Sequence, residues 1–291
     1  MRPVLLLLCL CLAAPLQAAT VVASIEPVAK LIHDVLGDRV TVDTFLLPTQ
    51  TPHDTAFTPG QARKVQQADL VVWLGADAEP ALARLLARQH RPHVAMLSLD
   101  GIHQRHQADG HDHHDHHHHA ALDPHLWLSP DNMLVLARSL PAQAAQLGLT
   151  EAEVEQAVAG FARRLDKVRE NIRAHLAPVA ARPYMSHHDA WGYFAEAFGL
   201  RPVIPLAAST DLSPGSRHFA ALVQQMAKDD IRCVMAEPES RRALLERLCQ
   251  GQCRIVEADP LGRDLPAAGY TDLLETLGQR FARCLGDANQ S

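Results

Sequence analysis

Between Val154 and Leu176 the chain places Val154, Val158, Phe161, Leu165, Val168, Ile172 and Leu176 three and four residues apart. That spacing is one face of a helix, and Thr150-Glu151-Ala152-Glu153 ahead of it is a capping box. A helix over Thr150–Ala177 would run roughly 40 Å, the height of a small domain. Such a rod is either buried inside one domain or joins two. Its position between two similar halves makes it a rigid connector.

Each half alternates short strand-like runs with helical patterns. Thr20–Ile25, Val40–Leu47, Leu70–Leu74 and Val94–Leu99 read as strands before the long helix, with helices over Pro27–Leu36, near Gly60–Ala68 and over Ala78–Arg88. After it, Tyr184–His187, Pro202–Leu206, Cys233–Ala236 and Ile255–Ala258 are the strands. Trp191–Phe198, Pro214–Lys228, Arg241–Cys249 and Tyr270–Leu285 are the helices, with Ser213 as N-cap before Pro214. Strands separated by helices argue βαβ units and parallel sheets. The expected fold is α/β: an N-terminal lobe over residues 20–133, a helical connector over 134–178 and a C-terminal lobe over 179–291.

The N-terminus is a separate segment. A basic start at Arg2, an apolar run over Val4–Ala14 and small residues around Ala18 and Ala19 read as a secretory signal peptide over residues 1–19. Cys9 and Cys11 leave with it and lack the small residues that precede a lipid-modified cysteine. The expected product is a soluble exported protein. Cys233, Cys249, Cys253 and Cys284 then remain, an even set for an oxidising compartment. Disulfides in any of their pairings compete with a four-cysteine zinc site. Only Cys249 and Cys253 are close in sequence, with Gly251 between them to allow a tight bridge.

The net charge of −6 carries no basic stripe, so nucleic acid is excluded as a partner. Histidine is the outlier: nine of the 18 fall between His103 and His119, at His103, His106, His111, His113, His114, His116, His117, His118 and His119. Asp112 and Asp115 are interleaved with them. This stretch has too few apolar residues to fold alone and is expected to be a mobile loop. A tag and an inert insertion are the bland alternatives to weak, multi-site metal capture.

Four further motifs fall where a strand gives way to a loop or helix. They are Pro48–His53, Asp123–Pro130, Ser186–Tyr193 and Asp259–Gly262. In open α/β sheets that carboxyl edge is where ligands bind. One histidine there is weak evidence. Three with a carboxylate, divided between two lobes, fit a metal in an interdomain cleft, and a nitrogen-rich set suits Zn²⁺. Neighbouring strand residues face opposite ways, so His187 and His188 are not expected to reach one metal. Asp189 is placed to orient an imidazole or to cap the next helix.

On Asp123–Pro130, His188–Phe194, Asp259–Gly262, the histidine-rich stretch and the long helix, the chain resembles the periplasmic solute-binding proteins of ABC-type zinc uptake systems. The resemblance implies zinc ligands at His53, His125 and His188, with Asp259 matching a carboxylate that supplies the fourth ligand in many relatives. Relatives that bind manganese have a glutamate at the position of His188. Some zinc binders have a glutamate before the first histidine; here Pro52 stands there, leaving Asp259 or a water as fourth donor. The resemblance also implies a Cys233–Cys284 disulfide, with Cys249–Cys253 as a possible second. The function implied is Zn²⁺ capture in the periplasm by a monomer that delivers it to a membrane permease. A zinc hydrolase with a three-histidine site, a manganese or iron binder, and a zinc buffer are the alternatives. Asp259 as fourth ligand, and no glutamate base in an H-E-x-x-H pattern, argue against the hydrolase.

Overall fold

The computed structural model describes residues 18–54, 56–106, 121–207, 214–266 and 268–286. The first lobe runs β1 (Ala19–Ala23), α1 (Glu26–Leu36), β2 (Val40–Thr44), α2 (Pro59–Gln67), β3 (Leu70–Trp73), α3 (Pro80–Gln89) and β4 (His93–Ala95). Helix α4 (Pro130–Ser139), a 3-10 segment over Pro141–Leu147 and α5 (Glu151–Leu176) follow. The second lobe runs β5 (Met185–Ser186), α6 (Gly192–Phe198), β6 (Ile204–Pro205), α7 (Ser216–Lys228), β7 (Cys233–Ala236), α8 (Arg242–Cys249), β8 (Arg254–Glu257) and α9 (Tyr270–Leu285).

Both sheets are parallel and share one topology, in the orders β2-β1-β3-β4 and β6-β5-β7-β8. Parallel strands are covered on both faces and read as continuous apolar runs. Leu70–Trp73 and Cys233–Ala236 are buried at every position. In this order the connections leave the first strand in opposite directions, so a crevice opens at the carboxyl edge between β1 and β3, and between β5 and β7.

The long helix begins at the expected capping box, with Thr150 accepting from the Glu153 amide and the Glu153 carboxylate accepting from the Thr150 amide. Val154, Val158, Phe161, Leu165, Ile172 and Leu176 are buried on one face. They belong to a core cluster that runs unbroken from Val21 in the first lobe to Leu285 in the second. A Cβ at Gly278 of α9 would lie 2.8 Å from Ile172, so glycine permits the close approach of α5 and α9. The helix is a packed spine common to both lobes.

Several expected elements are shorter. The strand expected over Val94–Leu99 gives way after Ala95 to a 3-10 turn at Met96–Ser98. It is an edge strand whose neighbour β3 ends at Trp73, opposite Ala95. Likewise β5 and β6 pair only at Met185–Ile204 and Ser186–Pro205. Helix α7 starts at Ser216 with Gly215 as N-cap, so Pro214 precedes it, and Ser213 lies outside the described residues. Cys233–Cys284 and Cys249–Cys253 are disulfides, with Cα–Cα distances of 5.2 and 5.1 Å. The four-cysteine zinc site is thereby excluded.

Candidate metal centre

Three loops at the facing carboxyl edges bring His53, His125 and His188 together, their ligand atoms all within 4.8 Å of one another. His53 sits in the loop after β2. Gln50 braces that loop, its side chain accepting from the Leu47 amide (3.1 Å) and donating to the Ala56 carbonyl (3.2 Å). Buried Gln61, in the first turn of α2, donates to Gln50 (2.7 Å) and to the Phe45 carbonyl (2.9 Å). His53 itself is exposed at the tip.

His125 and His188 are buried, and each has a carboxylate behind it. Asp123 Oδ1 is 2.7 Å from His125 Nδ1 and also accepts from the His125 amide (3.1 Å). Glu237 Oε2 is 2.6 Å from His188 Nδ1. Neither carboxylate has exposed side-chain surface. A carboxylate at Nδ1 fixes the tautomer and aims the Nε2 lone pair outward. The two Nε2 atoms face each other at 3.2 Å. Two nitrogens each about 2.05 Å from a tetrahedral zinc ion sit about 3.3 Å apart, so this pair already has the spacing of a zinc chelate.

Burial on its own lowers the His188 pKa. The Glu237 contact, with the charges of Glu239 and Asp189 further off, reverses this and leaves it raised. His188 follows β5 and Glu237 follows β7, so this pair occupies the crevice of the second sheet. Neither Glu237 nor the part played by Asp123 was foreseen from the sequence. For Asp123 the two-residue spacing to His125 is a local signal. For Glu237 the signal is only its place just past a strand's carboxyl end.

Other expected residues take different places. Asp259 is buried but engaged elsewhere: Oδ1 accepts from the Leu261 amide (3.1 Å) and Arg263 Nη2 (3.0 Å), and Oδ2 from the Arg263 amide (2.8 Å) and Nε (2.9 Å). His187 is buried outside the three-histidine group, its ring 6.4 Å from that of His188. Strand β5 ends at Ser186, so this separation arises in the loop, not from strand alternation. Glu237, and not Asp189, faces His188 Nδ1, and α6 starts from Trp191 without a side-chain cap. His103 Nε2 lies 3.0 Å from Glu196, and His106 forms an antiparallel bridge with Leu122. His111, His113, His114, His116, His117, His118 and His119 lie outside the described residues.

The lobes are joined across this site. Trp127 Nε1 donates to the Pro260 carbonyl (2.9 Å), and Tyr270 Oη donates to the Trp127 carbonyl (2.9 Å).

Residues 21–284 match the family model described as zinc-uptake complex component A, periplasmic (ZnuA). The high-affinity zinc uptake system protein ZnuA of Haemophilus ducreyi is 30% identical over 290 residues, 92% of this chain and 93% of that protein. Its namesake from Yersinia pestis is 29% identical over 93% of this chain and 92% of that one. Among solved structures, a crystal structure of ZnuA superposes with a TM-score of 0.78 at 22% identity, covering 93% of this chain and 100% of the other. Zn(II)-bound AdcA from Streptococcus pneumoniae gives 0.74 at 20% identity, covering 93% of this chain and 58% of that one. At these identities the structures establish the shared fold.

Proposed function

The chain belongs to the family of periplasmic zinc-uptake components whose model it matches over residues 21–284, and on that premise we propose that it captures Zn²⁺ in the cleft between its lobes. His125 and His188 form the preorganised half of the site and His53 closes it from its exposed loop. The observation that carries this is the 3.2 Å separation of two Nε2 atoms, each aimed by a buried carboxylate. Imidazole nitrogens suit zinc better than manganese or magnesium, which favour oxygen. Asp259 is the proposed fourth donor. Coordination by Asp259 would compete with the hydrogen bonds it accepts from Arg263 and from the Leu261 amide.

The arrangement binds and does not catalyse. The two carboxylates against the imidazoles are spent on Nδ1 atoms, so neither is placed as a general base for a metal-bound water. The relatives are named for zinc uptake, which supports an exported protein that hands its ion to an ABC permease. Signal-peptide removal near Ala18 and Ala19 is part of this proposal; β1 already takes in Ala19. The protein acts as a monomer, without nucleic acid. The histidine-rich stretch His103–His119 is an auxiliary, weaker collector.

Competition titration with a chromophoric chelator tests the site. Wild type should hold one zinc tightly. His53→Ala, His125→Ala and His188→Ala should each weaken it by at least about tenfold, since each removes one first-sphere donor. His187→Ala should change it far less. Equal losses at His187 and His188 would overturn the assignment.

A further inference from the structure

We propose that Arg105 is a positioning residue for zinc: it locks Asp123 behind His125 from a passage that Gly192 leaves open in the second lobe. The inference rests on the reading of His125 as a ligand. Asp123 Oδ1 is taken by the amide and ring of His125. Its Oδ2 receives Arg105 Nη1 at 2.7 Å. Asp123 has no exposed side-chain surface, and a buried carboxylate stays charged and in place only when it is paired.

The same guanidinium reaches across to α6. Its Nε donates to Glu196 at 2.6 Å, and its carbon lies 5.5 Å over the Tyr193 ring. The Arg105 amide donates to Tyr193 Oη (2.8 Å), which donates in turn to the Asp123 carbonyl (3.2 Å). The Asp123 amide donates to the Arg105 carbonyl (2.9 Å). Main chain and side chain therefore both bind Arg105 to the segment that carries His125. A Cβ on Gly192 would stand 1.3 Å from Nη1, inside the guanidinium. Glycine is a poor helix former, and its value at the head of α6 is that Arg105 passes through.

Arginine is required because two carboxylates, one from each lobe, meet one planar fork at Nε and Nη1. A lysine ammonium has donors enough but is a point charge without that fixed fork geometry. Without the guanidinium, Asp123 turns into the vacated space. His125 then loses the acceptor that sets its ring and tautomer. Loss of the carboxylate behind a ligating imidazole typically costs a metal site about 10–100-fold in affinity, and loss of Arg105, one step further out, should fall at the lower end of that range.

The test is a mutant cycle read by zinc competition and by the visible spectrum of the cobalt-loaded protein. Arg105→Gln should weaken zinc by about tenfold or more and alter the cobalt bands at saturation, with Arg105→Lys recovering part of both. Gly192→Ala should reproduce the Arg105→Gln phenotype by evicting the guanidinium. On an Arg105→Ala background, where the space is empty, Gly192→Ala should add nothing. Thermal melts of the metal-free variants register loss of fold separately, and the double variant has no clash to destabilise it. Wild-type affinity and spectrum in Arg105→Gln, or additive effects of Gly192→Ala and Arg105→Ala, would overturn the proposal. If His125→Ala itself kept wild-type affinity, the ligand reading would fall first, and the two failures are thereby told apart.

Discussion

His125 and His188 face each other through Nε2 atoms 3.2 Å apart, although they belong to different lobes. With both Nε2 atoms turned toward one point, the pair offers a two-nitrogen seat for a cation at a spacing that zinc would need little rearrangement of either ring to use. The third histidine, on its exposed loop, has further to come. On the proposed reading, capture is docking onto this buried pair followed by approach of the exposed His53.

The carboxylates behind the rings should therefore matter nearly as much as the rings. Glu237→Gln and Asp123→Asn keep shape but remove the charge that holds Nδ1–H. Each should weaken zinc by about 10–100-fold, with circular dichroism unchanged. Competition titration checks this. Wild-type affinity in both variants would mean that the imidazoles are fixed by packing alone.

The proposed fourth position turns on the pairing of Asp259 with Arg263. All four hydrogen bonds to Asp259 leave its oxygens engaged, three of them from Arg263. Arg263 also binds Glu239 (2.7 Å) and the Gln50 carbonyl in the His53 loop (3.4 Å). If Asp259 closes the coordination sphere, Asp259→Ala should retain zinc but change the cobalt spectrum. Arg263→Met, which removes the guanidinium and two of those four hydrogen bonds while leaving the two from backbone amides, should slow zinc release by about tenfold, the scale of one charge-assisted contact. Spectra unchanged in both variants would assign the position to water.

Glu79 sets a pH dependence of stability. Burial pushes its carboxyl from 4.5 up to about 7, against the opposing pull of the Leu74 amide and Ser24. An acid whose folded pKa is raised favours folding below the unfolded value, and the benefit is lost as pH rises through the folded one. The metal-free protein should accordingly lose stability between about pH 4.5 and pH 7 through this group. Glu79→Gln should be the more stable form above pH 7, by at most about 3 kcal/mol. Chemical denaturation at pH 5 and pH 8 measures it; a gap that did not grow with pH would refute it.

The Cys233–Cys284 bridge spans a sequence separation of 51 and ties α9 to the sheet. The chain-entropy model gives about 4 kcal/mol for a loop of this size. Cys233 opens β7 at the edge opposite Glu237, which follows its other end, roughly 13 Å away at strand rise. Cys284→Ser should therefore lower the melting temperature markedly while leaving zinc affinity within about twofold, below the scale of a lost contact. A parallel loss of affinity would show that the bridge shapes the site.

What could be read along the chain was local. Parallel-strand runs, the capping box of α5 and histidines past strand ends all announce themselves within a few residues. The support of the site is not local. Glu237 meets His188 across 49 positions and Arg105 meets Glu196 across 91. Asp259 looked free because its captor, Arg263, is an ordinary charged residue four positions on. Only the folded topology says which carboxylate faces which cation.

That distinction bears on how the histidine-rich stretch should be removed. Its histidines and acids offer many overlapping two- and three-ligand combinations, and ordering them around an ion costs conformational entropy. They should bind more weakly than the cleft. They should also weaken below about pH 6.5, where unperturbed histidine takes up a proton. A deletion of Ala108–His119 should lower the number of zinc ions bound at pH 7.5 and leave the tightest site unchanged. A deletion of Gln104–His119 also removes Arg105, and so should weaken the tight site by the factor found for Arg105→Gln. Calorimetry of the two deletions at pH 7.5 and pH 6 separates these effects. If the shorter deletion abolished tight binding, the stretch would be supplying a ligand to the cleft instead of feeding it.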